Sequence, residues 1–168
     1  MSTLLAFIVQ TANVEPPLFS SPSAFDRNNL RGQPSAKGPS KGVILSFSIL
    51  IVDDSAPVRR SLRSWIEQDK SWQICGEAEN GKVAVEKVKE LHPDIVILDL
   101  QMPVMDGLEA GRQIALLAPS TAMVMFTMHS CEQLVKAARA VGIKEVVSKS
   151  DGYPGHLLSA LRSVCVGP

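Results

Sequence analysis

The sequence predicts an α/β fold, a doubly wound five-stranded parallel sheet flanked by five helices. Three observations predict it. Short unbroken apolar runs rich in β-branched residues, such as Ile49-Leu50-Ile51-Val52 and Ile95-Val96-Ile97-Leu98, read as strands buried on both faces. From Phe47 onward such runs alternate five times with segments of helical period. Four of the runs close on polar residues, Asp53–Asp54, Asp99, Thr127 and Lys149, and open α/β sheets bind ligands at the carboxyl ends of their strands.

The elements follow in order. Strand 47–52 leads to a helix over 56–69 whose Val58, Leu62, Trp65 and Ile66 share one face. Ser55 is expected to cap that helix through its hydroxyl, with Pro57 tolerated in the first turn. Strand 72–76 precedes a helix over 81–91 that points Ala84, Val88 and Leu91 inward. Strand 94–98 precedes a helix over 107–117, stopped by Ala118-Pro119. Between them, Met102-Pro103-Val104-Met105-Asp106-Gly107 is turn chemistry: Pro103 fixes φ, and Gly107 tolerates a positive φ. Strand 122–126 leads to a helix over 131–141 closed by Gly142 at C′, and strand 144–148 to a last helix over 154–165 carrying Leu157, Leu158, Leu161 and Val164. Residues 10–42 place Pro16-Pro17, Pro22, Pro34 and Pro39 among Ser, Asn and Gly without apolar period. A disordered extension over 1–45 is therefore expected ahead of one folded domain over 46–166.

Composition excludes several classes of function. Lys+Arg 17 against Asp+Glu 17 leaves no net charge, so no electrostatic footprint for nucleic acid or an anionic membrane surface exists. No apolar run approaches the ~20 residues of a membrane span, and Leu4–Val9 lacks the basic flank of a signal peptide. Cys75, Cys131 and Cys165, odd in number and widely spaced, read as reduced thiols of a cytoplasmic protein. Gly76-Glu-Ala-Glu-Asn-Gly81-Lys82-Val83 nearly spells a phosphate-binding loop. Val83, however, stands where a Ser or Thr must hold Mg²⁺, and Glu77 and Glu79 would repel a triphosphate.

Ile-Leu-Ile-Val-Asp53-Asp54-Ser, Glu79-Asn80-Gly81, Asp94-Ile-Val-Ile-Leu-Asp99-Leu-Gln-Met-Pro103-Val-Met-Asp106-Gly107, Met-Phe-Thr127-Met-His and Val-Ser-Lys149 together resemble the receiver domain of bacterial two-component response regulators. The resemblance covers residues 46–166 and implies a flavodoxin-like strand order, 2-1-3-4-5. It implies phosphorylation of Asp99 by a sensor histidine kinase in a Mg²⁺-dependent reaction. Asp54 and Asp99 would ligate Mg²⁺ directly, Asp53 through water and Gln101 through its backbone carbonyl. Lys149 would supply positive charge, Thr127 would hydrogen-bond a phosphoryl oxygen, and Gln101 and His129 occupy positions that tune phosphoryl lifetime. Beyond assisting its own phosphorylation and dephosphorylation, no enzymatic activity is expected. The residues' own chemistry agrees: converging carboxylates repel unless a cation compensates them, and hard oxygen ligands in an incomplete shell suit Mg²⁺. A carboxylate nucleophile needs no base, only in-line placement and charge neutralisation.

The chain departs from the family at two positions. Receivers usually carry Tyr or Phe three residues before the lysine, and here that position is Val146; the usual proline after the lysine is Ser150, so no cis peptide is expected at 149–150. The resemblance implies signalling through a face formed by the fourth helix, fifth strand and fifth helix, where Glu132, Lys136, Arg139, Lys144 and Arg162 would offer charged contacts. The partner would be an unknown output protein, or a second copy in a phosphorylation-dependent homodimer. The segments around Thr127 and Lys149 are most similar to receivers that precede a helix-turn-helix, yet the sequence leaves no room for a DNA-reading helix before Pro168. The expectation is a single-domain cytoplasmic regulator contacting neither membrane nor nucleic acid directly. A truncated DNA-binding transcriptional regulator and an adaptor that docks without phosphorylation stay open as alternatives.

Overall fold

Five βα units succeed one another in the computed structural model, which describes residues 46–150 and 154–165. They are β1 (Phe47–Val52), α1 (Ala56–Ile66), β2 (Trp72–Ala78), α2 (Gly81–Leu91), β3 (Ile95–Leu98), α3 (Gly107–Leu117), β4 (Ala122–Thr127), α4 (Glu132–Ala140), β5 (Glu145–Ser148) and α5 (Pro154–Cys165). The strands form one parallel sheet in the expected order β2-β1-β3-β4-β5. The extension expected over 1–45 lies outside the described residues.

Alternate residues of each strand feed two cores, which is why the runs are apolar without a break. Leu50, Val52, Val96, Leu98, Met123 and Met125 pack against Ala84 and Val88 of α2, Ala110 and Ile114 of α3, and Ala138 of α4. Ile49, Ile51, Ile95, Ile97, Val124 and Phe126 face Leu62 and Ile66 of α1 and Leu157 and Leu161 of α5. Burying one such side chain is worth about 1.5–3 kcal/mol. The sheet is thus packed from both sides.

Several expectations need correction. Helix α1 stops at Ile66 rather than 69, because Asp69 accepts hydrogen bonds from the Ser71 amide at 3.0 Å and hydroxyl at 2.6 Å, closing a turn there. Ser55 occupies the N-cap with extended backbone, but its hydroxyl makes no capping bond. Pro57 removes one of the N–H groups it could serve, and the Ser55 amide itself donates to Asp53 Oδ1 at 2.8 Å. Strand β2 continues to Ala78 because a register shift between Ile49 and Leu50 lets Gly76, Glu77 and Ala78 pair with Leu50, Ile51 and Val52. At the end of α2, Leu91 is 39 % exposed, and Val85 takes the inward place at 5 %. Gly107 does not use a positive φ. Its hydrogen is required by proximity, since a Cβ there would lie 2.1 Å from the Asp99 carbonyl oxygen. The left-handed residue of that loop is Val104, at φ 69° and 79 % exposed.

Helix α4 ends as expected on Gly142, at φ +96°. The Gly142 amide donates to Arg139 O at 3.1 Å and the Ile143 amide to Ala138 O at 3.0 Å, a Schellman closure whose apolar contact joins Ile143 to the core. Because the left-handed conformation costs a side-chain-bearing residue about 1–2 kcal/mol, Gly142→Ala should destabilise by about that amount in urea unfolding. Replacing the exposed β-branched Val104 by Asn should raise stability by about 0.5–1 kcal/mol.

Candidate functional site

The polar groups of Asp53, just past β1, are engaged on every side. Its amide donates to Ala78 O at 3.1 Å, Oδ1 accepts from the Ser55 amide, and the residue is 1 % exposed. Asp99, just past β3, is set one strand over: its amide donates to Val52 O at 2.9 Å and its Oδ1 accepts from the Leu100 amide at 2.8 Å. Asp54 sits beside them in solvent, and one carboxylate oxygen from each of Asp53, Asp54 and Asp99 falls within 4.8 Å of the others. Lys149 follows β5, and its amide donates to Thr127 O at 2.7 Å. Its ammonium lies 2.7 Å from Asp53 Oδ2 and 3.0 Å from Asp99 Oδ1. The ring of Phe126, with its centroid 5.8 Å from Nζ, backs the same ammonium.

Among the described residues, three carboxylates against one ammonium leave two formal negative charges uncompensated in a largely buried corner. Burial pushes the Asp99 carboxyl above its ordinary range; the hydrogen bond and charge of Lys149 pull it down, and Asp53 pushes it further up. An all-oxygen donor set short of two positive charges fits a hard divalent cation that keeps several waters.

The other residues singled out from the sequence stand around this corner. Thr127 is buried at the end of β4, where its Oγ1 accepts from the His129 amide at 3.4 Å. Gln101 and His129 are exposed, two residues beyond Asp99 and Thr127 respectively. Beside Val146 the surface opens into a cavity of about 720 Å³ lined by Met128, His129, Cys131, Ser148 and His156 among others. Sequence reasoning passed over Phe126 and the pair Arg59 and Arg63. Both guanidiniums bind Glu77 of β2, at 3.1 Å and 2.7 Å, and Arg59 also donates to the Asp53 carbonyl oxygen at 2.7 Å. Burial alone would raise the Glu77 carboxyl, and the two guanidiniums bring it below its ordinary value. The only sequence signal was the i,i+4 spacing of the arginines on one face of α1.

A family model described as the response regulator receiver domain matches residues 49–162. Chemotaxis protein CheY of Thermotoga maritima is 36% identical over 116 residues, 69% of this chain and 95% of that protein. Protein-glutamate methylesterase/protein-glutamine glutaminase 1 of Methanosarcina acetivorans is 43% identical over 106 residues, 62% of this chain. The match spans only 30% of that enzyme. The structure of the CheX-CheY-BeF3-Mg complex from Borrelia burgdorferi superposes with a TM-score of 0.68 at 32% identity, covering 72% of this chain and 90% of that one.

A crowded acid whose carboxyl is raised on folding costs stability wherever it is ionised. Asp99→Asn should therefore raise the stability of the metal-free protein at neutral pH. The gain should shrink as pH falls through the raised carboxyl and vanish below the ordinary aspartate value of 3.8, where both states are protonated. Urea midpoints in a chelator across pH check this.

Proposed function

The chain belongs to the response regulator receiver domain family, and we propose that within it Asp99 is the residue that accepts a phosphoryl group. The observation that carries this reading is the buried Asp99 carboxylate at a strand end, 3.0 Å from the Lys149 ammonium and grouped with two further carboxylates. The folded receiver unit is taken as 46–166, and the protein as cytoplasmic.

Asp53, Asp54, Asp99 and the Gln101 backbone carbonyl would hold Mg²⁺, and the uncompensated charge of the acid cluster supports that set. The Borrelia burgdorferi complex, which contains BeF3 and Mg²⁺, supports it as well. Bound Mg²⁺ supplies positive charge to the carboxylates and the incoming phosphoryl oxygens. An Asp99 oxygen attacks phosphorus while the bond from phosphorus to the donor's leaving atom breaks, giving an acyl phosphate and the free donor. Water later attacks phosphorus and regenerates the carboxylate. Lys149, which now bridges Asp53 and Asp99, turns its ammonium to a phosphoryl oxygen and keeps the added charge compensated. The Thr127 hydroxyl donates to another phosphoryl oxygen, drawing the β4–α4 loop inward. The donor would be a sensor histidine kinase. The receiver of the changed surface would be an output protein or a second copy of the chain.

Incubation with acetyl phosphate and Mg²⁺ should give a retarded band on a phosphate-affinity gel for the wild type. Asp99→Ala and the chelated wild type should give none. An unshifted wild type would favour an adaptor that works without phosphorylation. His129 is exposed two residues past Thr127, where its ring would hinder the approach of the hydrolytic water. His129→Ala should speed loss of the phosphoryl group several-fold, and an unchanged decay rate would remove that role.

A further inference from the structure

Arg59 lies on the first turns of α1 with its side chain 17% exposed, and its planar fork ties two elements together. Nη1 donates to the Asp53 carbonyl oxygen at 2.7 Å, and Nε donates to Glu77 Oε2 at 3.1 Å. The Glu77 carboxylate is in turn held by Arg63, through Nε at 2.9 Å and Nη2 at 2.7 Å, while the Lys87 ammonium donates to the Glu77 carbonyl. Strand β2 therefore fixes both ends of the Asp53 main chain, the amide directly through Ala78 O and the carbonyl through a guanidinium that Glu77 anchors.

The Asp53 carbonyl belongs to the peptide that leads into Asp54, so fixing its direction fixes where Asp54 starts. A lysine could not replace the fork, because a single ammonium does not present two donors in one plane at a set angle. Charge fits the same role. An unpaired guanidinium on the Asp53 carbonyl would oppose a cation at the acid cluster, and Glu77 offsets it. Arg63 has a second acid in Glu67, 2.9 Å away, and makes no bond to Asp53.

We propose that Arg59 is a positioning residue for the metal-holding turn: by orienting the peptide between Asp53 and Asp54 it sets the convergence of the three carboxylates, and with it the affinity for Mg²⁺, while touching neither the cation nor the phosphoryl group. The role rests on the metal site proposed above.

The test is calorimetric titration of the unphosphorylated protein with MgCl₂, for wild type, Arg59→Gln, Arg59→Lys and Arg63→Gln, beside urea midpoints for each. Arg59→Gln should weaken Mg²⁺ binding about tenfold, the scale seen when a group orienting a ligand is lost. Arg59→Lys, which keeps charge and stem, should rescue little of it and carries the test if the glutamine variant fails to fold. Arg63→Gln should lower the urea midpoint yet leave Mg²⁺ affinity within about twofold of wild type. Phosphorylation of the Arg59 variants by acetyl phosphate should recover at saturating Mg²⁺, a change in the concentration required rather than in the maximal rate. Equal Mg²⁺ affinity in wild type and Arg59→Gln, or equal weakening in Arg59→Gln and Arg63→Gln, would overturn the proposal. A wild type that binds no Mg²⁺ would overturn the metal site itself.

Discussion

Three carboxylates within 4.8 Å of one another, bridged by the Lys149 ammonium, are the arrangement on which the rest of the molecule depends. Left to themselves they would spread apart or take up protons. They stay together because Asp53 and Asp99 directly follow neighbouring strands, whose apolar residues are locked between two helical layers. Hydrophobic burial over the whole sheet thus offsets a local repulsion at the carboxyl ends of its inner strands. The same repulsion makes the corner receptive to positive charge and to the transfer chemistry proposed for it.

The connections around the sheet serve this corner more than they serve local preference. The β3–α3 loop closes so tightly over Asp99 that only a glycine fits at position 107. The Gly107 amide then donates to Leu100 O at 2.9 Å, and the Gly81 amide donates to Met105 O at 3.1 Å, so the start of α2 holds the loop from outside. The β-branched Val104 takes a left-handed conformation within that closure. Strain of this kind persists only where surrounding contacts over-determine the backbone, and here they lie beside the candidate site.

How much of this was legible in the sequence follows from what each feature depends on. The strands were legible because burial on both faces writes an unbroken apolar run, and the helices because one buried stripe repeats with helical period. The corner was legible as polar residues ending those runs, since parallel order brings strand ends together. Arg59 was not, because its meaning lies in Glu77, eighteen residues away on a strand whose neighbour only the fold reveals. Ser55 misled because a capping hydroxyl is a local rule, and here a proline and an Asp53 carboxylate oxygen altered the local competition. Gly107 misled for the reverse reason: its tolerance of unusual φ was the local reading, and the need was tertiary proximity.

Val146 changes how a rearrangement at the corner can travel. With no aromatic ring at that position, the direct link between Thr127 and the fifth strand is main chain, the Lys149 amide bonded to Thr127 O at 2.7 Å. A shift of Thr127 therefore carries the Lys149 backbone with it, coupling the hydroxyl and the ammonium that would both contact a phosphoryl group. Beyond Thr127 the chain enters α4, whose N-cap, Cys131, makes no side-chain capping bond and whose only fully buried residue is Ala138. Helices α2 and α3 each bury four residues and are capped by Asn80 and Asp106. Weak anchoring lowers the cost of local displacement, so α4 is the element of these three that yields most readily to a pull at Thr127. The cavity lined by Val146 is lined as well by Met128, His129, Ser130 and Cys131 of the β4–α4 loop.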